Sequence, residues 1–114
     1  MNDFVILFRQ GSRTLTEADL ARRQQEVSAW ARARNAAGHR LEPRILAPDM
    51  LRPGIGSDAA HDAHPVTALL FLRAGDLADA ARIAESHPAI HFGASVEVRP
   101  WASPARPVPA TRPA

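Results

Sequence analysis

Two stretches of the chain are almost entirely apolar and are rich in β-branched and aromatic residues. They are DFVILFRQ at residues 3–10 and PVTALLFLRA at residues 65–74. Short apolar runs of this kind predict strands that are covered on both faces. A third stretch, LEPRILAPDML at residues 41–51, is interrupted by Pro43 and Pro48. Because proline cannot donate a hydrogen bond to a neighbouring strand, this stretch predicts an edge strand.

A fourth strand and two helices complete the pattern. HFGASVEVRPW at residues 91–101 alternates apolar and polar positions, which is typical of a strand with one buried face. Thr16 begins a helical stretch rich in Ala, Arg, Glu and Gln, and Gly38 ends it. Asp76 begins a second helix, which we expect to end at the residue before Pro88. The predicted order of elements is therefore βαββαβ.

This order predicts an α+β fold of the ferredoxin-like type, with a four-stranded antiparallel sheet and both helices on one face. The usual strand order, 4-1-3-2, places the two apolar strands in the centre. Their second face then needs a cover, most simply the sheet of another subunit, so the pattern predicts a homodimer. We assign one domain to residues 1–101 and a flexible, proline-rich tail to residues 102–114.

The composition narrows the classes of function. The chain has no cysteine, which excludes disulfides, thiol nucleophiles and thiolate metal sites. All of its basic side chains other than histidine are arginine, yet the formal net charge is only +2, so the sequence does not predict nucleic-acid binding. No apolar run approaches the ~20 residues of a membrane span, and the N-terminus lacks a secretory pattern. We therefore expect a cytoplasmic protein without membrane contact.

The segment LFLRAGDLADAARIAESHPAIHFGASVEVRPW, residues 70–101, joins an apolar strand, an Asp-Leu helix start, a His-Pro pair and a Val-Glu-Val-Arg-Pro end. It resembles the C-terminal half of the YCII-related family, in its DGPF branch. The N-terminal DFVILFRQ, followed by a Leu-Thr-Glu helix start, fits the same family, so the resemblance covers residues 3–101. The family implies a dimeric α/β-barrel, in which two ferredoxin-like sheets pack face to face around a cleft. It also implies a protein partner in transcription regulation, since genes of similar proteins often lie beside those of extracytoplasmic-function sigma factors.

The chain departs from the family pattern in two places. The Asp-Gly-Pro-Phe segment should precede the third strand, where this chain has SDAAHDAHPVTALL. In other members of the wider family a His–Asp pair is proposed as catalytic. Its aspartate aligns with His87, and its histidine has no counterpart in TEADLARRQQEVSAW. The proposed catalytic His–Asp pair is therefore not present in this chain, and the sequence does not decide whether the protein is an enzyme.

His87 is the candidate catalytic residue. The dipole at the C-terminal end of the second helix favours its imidazolium form, and a histidine there can act as a general acid or base near neutral pH. The alternative is a histidine that only hydrogen-bonds the last carbonyl groups of the helix.

Four charged residues are candidates for substrate binding. Glu97 and Arg99 share one face of the predicted fourth strand, where they could hold an anionic substrate or form a polar pair at the dimer interface. Arg9 and Arg73 end the two apolar strands and either border the same cleft or are ordinary strand-end arginines.

The remaining candidates are interpreted as structural. We expect Trp30 and Trp101 to anchor the core and the dimer interface rather than to stack on a ligand. The spacing of His61, Asp62 and His64 is too loose to predict a metal site, and no cofactor motif is present in the sequence. We therefore predict neither a metal nor a cofactor.

Two hypotheses of function remain. In the first, a homodimer binds a small polar or anionic metabolite in a cleft between its sheets, with cofactor-free acid/base catalysis by His87. In the second, the protein is a non-catalytic binding or regulatory module that acts with a protein partner such as a sigma factor.

Overall fold

The computed structural model describes residues 1–51, 53–54 and 64–102, and these residues form a four-stranded sheet with two α-helices. The sheet has the order β2-β3-β1-β4, and every neighbouring pair of strands is antiparallel. This confirms the predicted ferredoxin-like α+β fold and the central position of the two apolar strands. The elements along the chain are β1 (Asn2–Gln10), α1 (Glu17–Ala36), β2 (Glu42–Ile45), β3 (Val66–Ala74), α2 (Leu77–Glu85), a 3₁₀ helix (Pro88–Phe92) and β4 (Ala94–Pro100). Residues 52 and 55–63 and most of the proline-rich tail lie outside the described residues.

Alternate residues of each strand face opposite sides of the sheet. On one side, β1 and β3 pack against α2 and form the hydrophobic core. The core contains Phe4, Ile6, Phe8, Leu70, Leu72, Ala74, Ala80, Ile83, Ala84 and Ala89. The alternating residues of β4 follow this division as predicted, since Ala94, Val96 and Val98 pack against the core while Glu97 and Arg99 do not.

We call the other side of the sheet the open face. It carries the alternate residues that do not belong to the core, and neither described helix packs on it. From β1 these are Asp3, Val5, Leu7 and Arg9; from β3, Leu69, Phe71 and Arg73; from β2, Glu42 and Arg44; and from β4 and the residue after it, Glu97, Arg99 and Trp101.

Both α-helices begin at the residues that the sequence indicates. Thr16 accepts a hydrogen bond from the backbone N–H of Asp19, whose carboxylate accepts one in return from the N–H of Thr16. Asp76 accepts from the N–H of Asp79 in the same way. Each cap satisfies an N–H group that has no partner within its own helix. The positive φ of Gly38, +95°, turns the chain away after α1.

The segment between α2 and β4 differs from the expectation. The second helix ends at Glu85, with Ser86 as its C-cap, and β4 begins only at Ala94. The residues between them form the 3₁₀ helix, which starts with Pro88 and ends at Gly93. Gly93 has a φ of +97°, which an extended strand does not allow, so the alternating pattern becomes a strand only after this residue.

The first helix packs on the 3₁₀ helix and has no fully buried residue. Its main contact with the core is Trp30, which packs against it as predicted. Neither α-helix of the described ranges is long and apolar enough to cross a membrane.

Candidate functional site on the open face

Glu97 lies between two arginines on the open face. Its carboxylate oxygens are 3.7 Å from Arg99 Nη1 and 4.0 Å from Arg9 Nη2. Arg9 also donates from Nη1 to the backbone carbonyl of His64 at 2.9 Å. Because all three side chains are substantially exposed, these ion pairs contribute little to stability. The three residues therefore form a row of charge that extends from the central strand β1 to the edge strand β4 within one chain.

A groove of about 810 Å³ opens at the end of the open face where β1 begins. Strand register explains how distant residues meet there, because Glu42 lies opposite Phe71 and Asp3 lies opposite Arg73. The volume is within the ~300–1,000 Å³ that is usual for small-molecule sites. The lining residues are Asp3, Arg40, Leu41, Glu42, Phe71, Leu72, Arg73 and Trp101.

Arg73 is the one predicted substrate-binding residue that lines this groove. Its Nε lies 3.4 Å from Asp3 Oδ1, and its Nη2 donates to the carbonyl of Met1 at 3.0 Å. Nε is buried and has no hydrogen bond within the described ranges. Its backbone is held by His39, whose carbonyl accepts from the Arg73 N–H at 2.7 Å and whose Nδ1 donates to the Arg73 carbonyl at 2.8 Å. The position of this guanidinium is therefore well defined.

Two aromatic rings form one wall of the groove. Phe71 and Trp101 meet edge to face, with ring centroids 5.0 Å apart and an angle of 81° between the ring planes. The backbone N–H of Trp101 donates to the carbonyl of Asp3 at 2.9 Å, which extends the pairing of β4 with β1. The side chain of Trp101 is nonetheless 46% exposed. Within this chain Trp101 is therefore not a core residue, and its indole is available to a ligand.

His87 lies on the opposite side of the sheet, within the core. It is only 6% exposed, and its ring meets those of Phe8 and Trp30 edge to face, with centroids 4.7 Å and 4.6 Å away. Phe8 belongs to the side of β1 that packs against α2, whereas Glu97 and Arg99 lie on the open face. The sheet therefore separates His87 from Arg99, and the two residues do not share a cleft within one chain.

The hydrogen bonding of His87 also differs from the expectation. The residue caps the 3₁₀ helix, and its Nδ1 accepts from the backbone N–H of Ala89 at 3.0 Å. Burial lowers the pKa of His87 to about 4, and the positive charge of Arg23 lowers it further. The expected imidazolium is thus disfavoured, because desolvation of the enclosed ring outweighs the dipole of α2. At neutral pH His87 is an uncharged hydrogen-bond acceptor.

Sequence reasoning found Arg73 but missed the rest of the groove. Asp3, Glu42 and Phe71 carry no motif, and only the register of three strands brings them together. The alternating pattern of the fourth strand could have placed Trp101 on the same face as Arg99. The sequence around Arg40 contains no signal that it belongs to the groove, because its position depends on the turn between α1 and β2.

In the ranges that the structure describes, no group of three His, Asp or Glu side chains is placed to hold a metal ion. His61 and Asp62 lie outside these ranges. A comparison of the chain with known protein families and with characterised proteins finds no match.

Proposed function

We propose that this protein is a homodimer, similar to YCII-related proteins, that binds a small polar or anionic metabolite in the groove on its open face. The groove itself is the observation that carries the proposal. It combines a volume of about 810 Å³ with an aromatic wall and the buried Nε of Arg73. Concave sites with apolar walls and a few fixed polar groups are typical of small-molecule binding.

Dimerisation is supported by the apolar centre of the open face. Leu7 lies opposite Leu69 there, and Val5 lies opposite Phe71. Apolar side chains at the centre of a sheet face that carries no helix are typical of an interaction surface. In a dimer that paired these faces, the groove would lie between the two sheets, and the row formed by Arg9, Glu97 and Arg99 would lie on the same face without lining the groove.

The geometry favours binding without catalysis by His87. An acid/base reaction at His87 would require the substrate to reach the helix side of the sheet, where the ring is enclosed by Phe8 and Trp30. Its Nδ1 is already occupied by the N–H of Ala89. His87 is better explained as a core residue that caps the 3₁₀ helix.

Light scattering at micromolar concentration tests the dimer. We expect the wild-type protein to be dimeric and Leu69→Asp to be monomeric, because the substitution would bury an unpaired charge in the interface. Ile45→Asp is the matched control, since Ile45 is 80% exposed and alternates with the open-face residues of β2. A monomeric wild-type protein, or a dimeric Leu69→Asp variant, would contradict this part of the proposal.

Thermal unfolding in the presence of a set of small organic acids tests ligand binding. We expect at least one acid to raise the Tm of the wild-type protein, because a ligand that binds only the native state stabilises it. Trp101→Ala should abolish that increase. Leu51→Ala should retain it, since Leu51 is 93% exposed and does not line the groove. The binding proposal fails if no acid stabilises the protein, or if Trp101→Ala responds as the wild type does.

A second candidate function is a regulatory module that binds a protein partner. It is favoured by four large apolar side chains near β2 that are strongly exposed, which are Ile45, Leu46, Met50 and Leu51. Apolar side chains exposed together are frequent at protein interfaces. This candidate predicts that a sigma factor co-purifies with the wild-type protein and is lost with a double Ile45→Asp, Leu51→Asp variant. A co-purifying protein that is unaffected by the double substitution would exclude this surface.

A further inference from the structure

The backbone of Arg40 indicates which chemistry the groove recognises. Its φ is +51°, and within the described ranges it is the one non-glycine residue with a positive φ. A side chain with a β-carbon is strained in this conformation, which glycine and asparagine adopt more readily. Residues held in such conformations concentrate at ligand sites.

The residues on either side of Arg40 impose this conformation. The carbonyl of His39 accepts from the N–H of Arg73 at 2.7 Å. On the other side, the N–H of Leu41 donates to Asn35 Oδ1 at 2.7 Å. The chain is therefore fixed immediately before and after Arg40 by bonds that do not involve its side chain.

In the part of the chain that the structure describes, the side chain of Arg40 has no partner that would explain the choice of arginine. It lines the groove and forms no hydrogen bond or ion pair with any residue in the described ranges. By contrast, Arg73 and Asp3 on the same groove are already paired with each other. An unpaired guanidinium can bind a carboxylate through two parallel hydrogen bonds. An external carboxylate would therefore explain why a strained position carries arginine.

The aromatic residues that line the groove favour a ligand with a ring. Phe71 and Trp101 meet edge to face and line the same groove as the charged residues Asp3, Arg40, Glu42 and Arg73. Aromatic side chains bind planar rings by stacking or edge-to-face contact. Glu42 also lines the groove without an ion pair in the described part of the chain, so an aromatic cation is the competing ligand.

We propose that the groove binds a planar aromatic carboxylate, with its ring against Phe71 and Trp101 and its carboxylate on Arg40. This inference rests on the proposed binding function and adds the class of ligand and the residue that recognises its charge. The strain at Arg40 favours the anion over the cation, because Glu42 occupies an ordinary strand position and needs no functional explanation.

The two tryptophans allow the site to be observed directly in the full-length protein. The chain contains no others, and Trp30 Nε1 donates to Ser86 Oγ at 2.8 Å beside the core. In a nitrogen-15 NMR titration with naphthoate, we expect the indole signal of Trp101 to shift in a saturable manner and that of Trp30 to stay in place. Cyclohexanecarboxylate lacks the aromatic ring and naphthylmethylamine reverses the charge, and each should bind at least about tenfold more weakly than naphthoate.

Substitutions of Arg40 separate its functional role from its structural one. Arg40→Asn removes the charge but tolerates the backbone conformation, and Arg40→Gly relieves the strain completely. We expect both variants to weaken naphthoate binding by about tenfold or more, while Tm is unchanged or higher. Arg44→Asn is the matched control. Arg44 lies on the same strand as Glu42, does not line the groove and should be substituted without loss of affinity.

The outcomes distinguish this inference from the proposed function. If Arg40→Asn binds naphthoate as tightly as the wild type, or if cyclohexanecarboxylate or naphthylmethylamine binds as tightly, the inference is overturned while the groove remains a binding site. The same holds if another class of small acid stabilises the protein and naphthoate does not bind. If no small acid stabilises the protein and no probe moves the Trp101 signal, both proposals are overturned.

Discussion

Acidification from pH 7 to pH 4 should destabilise this protein through His87. The ring is enclosed by Phe8 and Trp30, and burial lowers its pKa from the ordinary 6.5 to about 4. In the unfolded chain the ring titrates near its ordinary value. As the pH falls below about 6.5 the unfolded state binds a proton that the folded state does not, so stability is full near pH 7 and decreases towards pH 4.

The size of the loss follows from the difference between the two pKa values. The pKa falls from 6.5 to about 4, and one pKa unit corresponds to about 1.4 kcal/mol. The free energy of unfolding should therefore fall by about 3 kcal/mol between pH 7 and pH 4. The carboxylates of Asp19 and Asp79, in the first turns of α1 and α2, titrate at lower pH. Hydrogen bonds from the backbone N–H groups of Thr16 and Gly75 lower the pKa of Asp19 and of Asp79 below the ordinary 3.8, so their contributions are lost only at more acidic pH.

Urea unfolding at pH 7, 6, 5 and 4 measures this loss, with His87→Asn as the control. The asparagine side-chain oxygen can still accept from the N–H of Ala89, but the side chain does not titrate. We expect the variant to be less stable than the wild type at pH 7, because it loses the ring contacts with Phe8 and Trp30. The difference in the free energy of unfolding between the two proteins should be smaller by about 3 kcal/mol at pH 4 than at pH 7. An equal loss of stability in both proteins would refute the assignment of the titration to His87.

Three further substitutions test the fold by urea unfolding at pH 7. Thr16→Ala should lower the free energy of unfolding by about 1 kcal/mol, because it removes the oxygen that caps α1. Thr16→Ser should retain most of the wild-type stability, because its hydroxyl can form the same cap. Gly11→Ala should lower the free energy of unfolding by more than about 1 kcal/mol, since the added β-carbon would lie 2.8 Å from the carbonyl oxygen of Gly93. An unchanged midpoint of urea unfolding would contradict this contact. Ser86→Ala should lower the free energy of unfolding by about 1–2 kcal/mol, because the indole N–H of Trp30 loses its acceptor. The indole NMR signal of Trp30 should shift in this variant, and an unchanged signal would argue against the hydrogen bond.

The features that could be predicted from the sequence depend on residues close together in the chain. A helix cap such as Thr16 or Asp76 needs only an N–H group three residues further on, so its role follows from the local sequence. The two apolar stretches similarly indicate central strands, because a run of mainly apolar residues is typical of a strand that is covered on both faces. The βαββαβ order and the sheet topology follow from these local patterns.

His87 shows where local reasoning fails. Its place after α2 predicts a charged ring near a helix terminus, and the resemblance noted in the sequence predicts a site there. The 3₁₀ helix that follows turns the side chain into the core, and Phe8 and Trp30, which are distant in sequence, remove it from water. Whether this histidine is charged depends on burial, and burial is a property of the tertiary structure.

The groove is the clearest case of a feature that only the tertiary structure creates. The apolar and polar periodicity of the chain is sufficient to specify the strands, the helices and the face that each strand buries, because these depend on spacings of two to four residues. Asp3, Arg40, Phe71 and Trp101 are separated along the chain by tens of residues, and strand register and one left-handed turn bring them to a single groove. No local pattern encodes that proximity, so the sequence predicts the fold, whereas the packed structure alone places the groove.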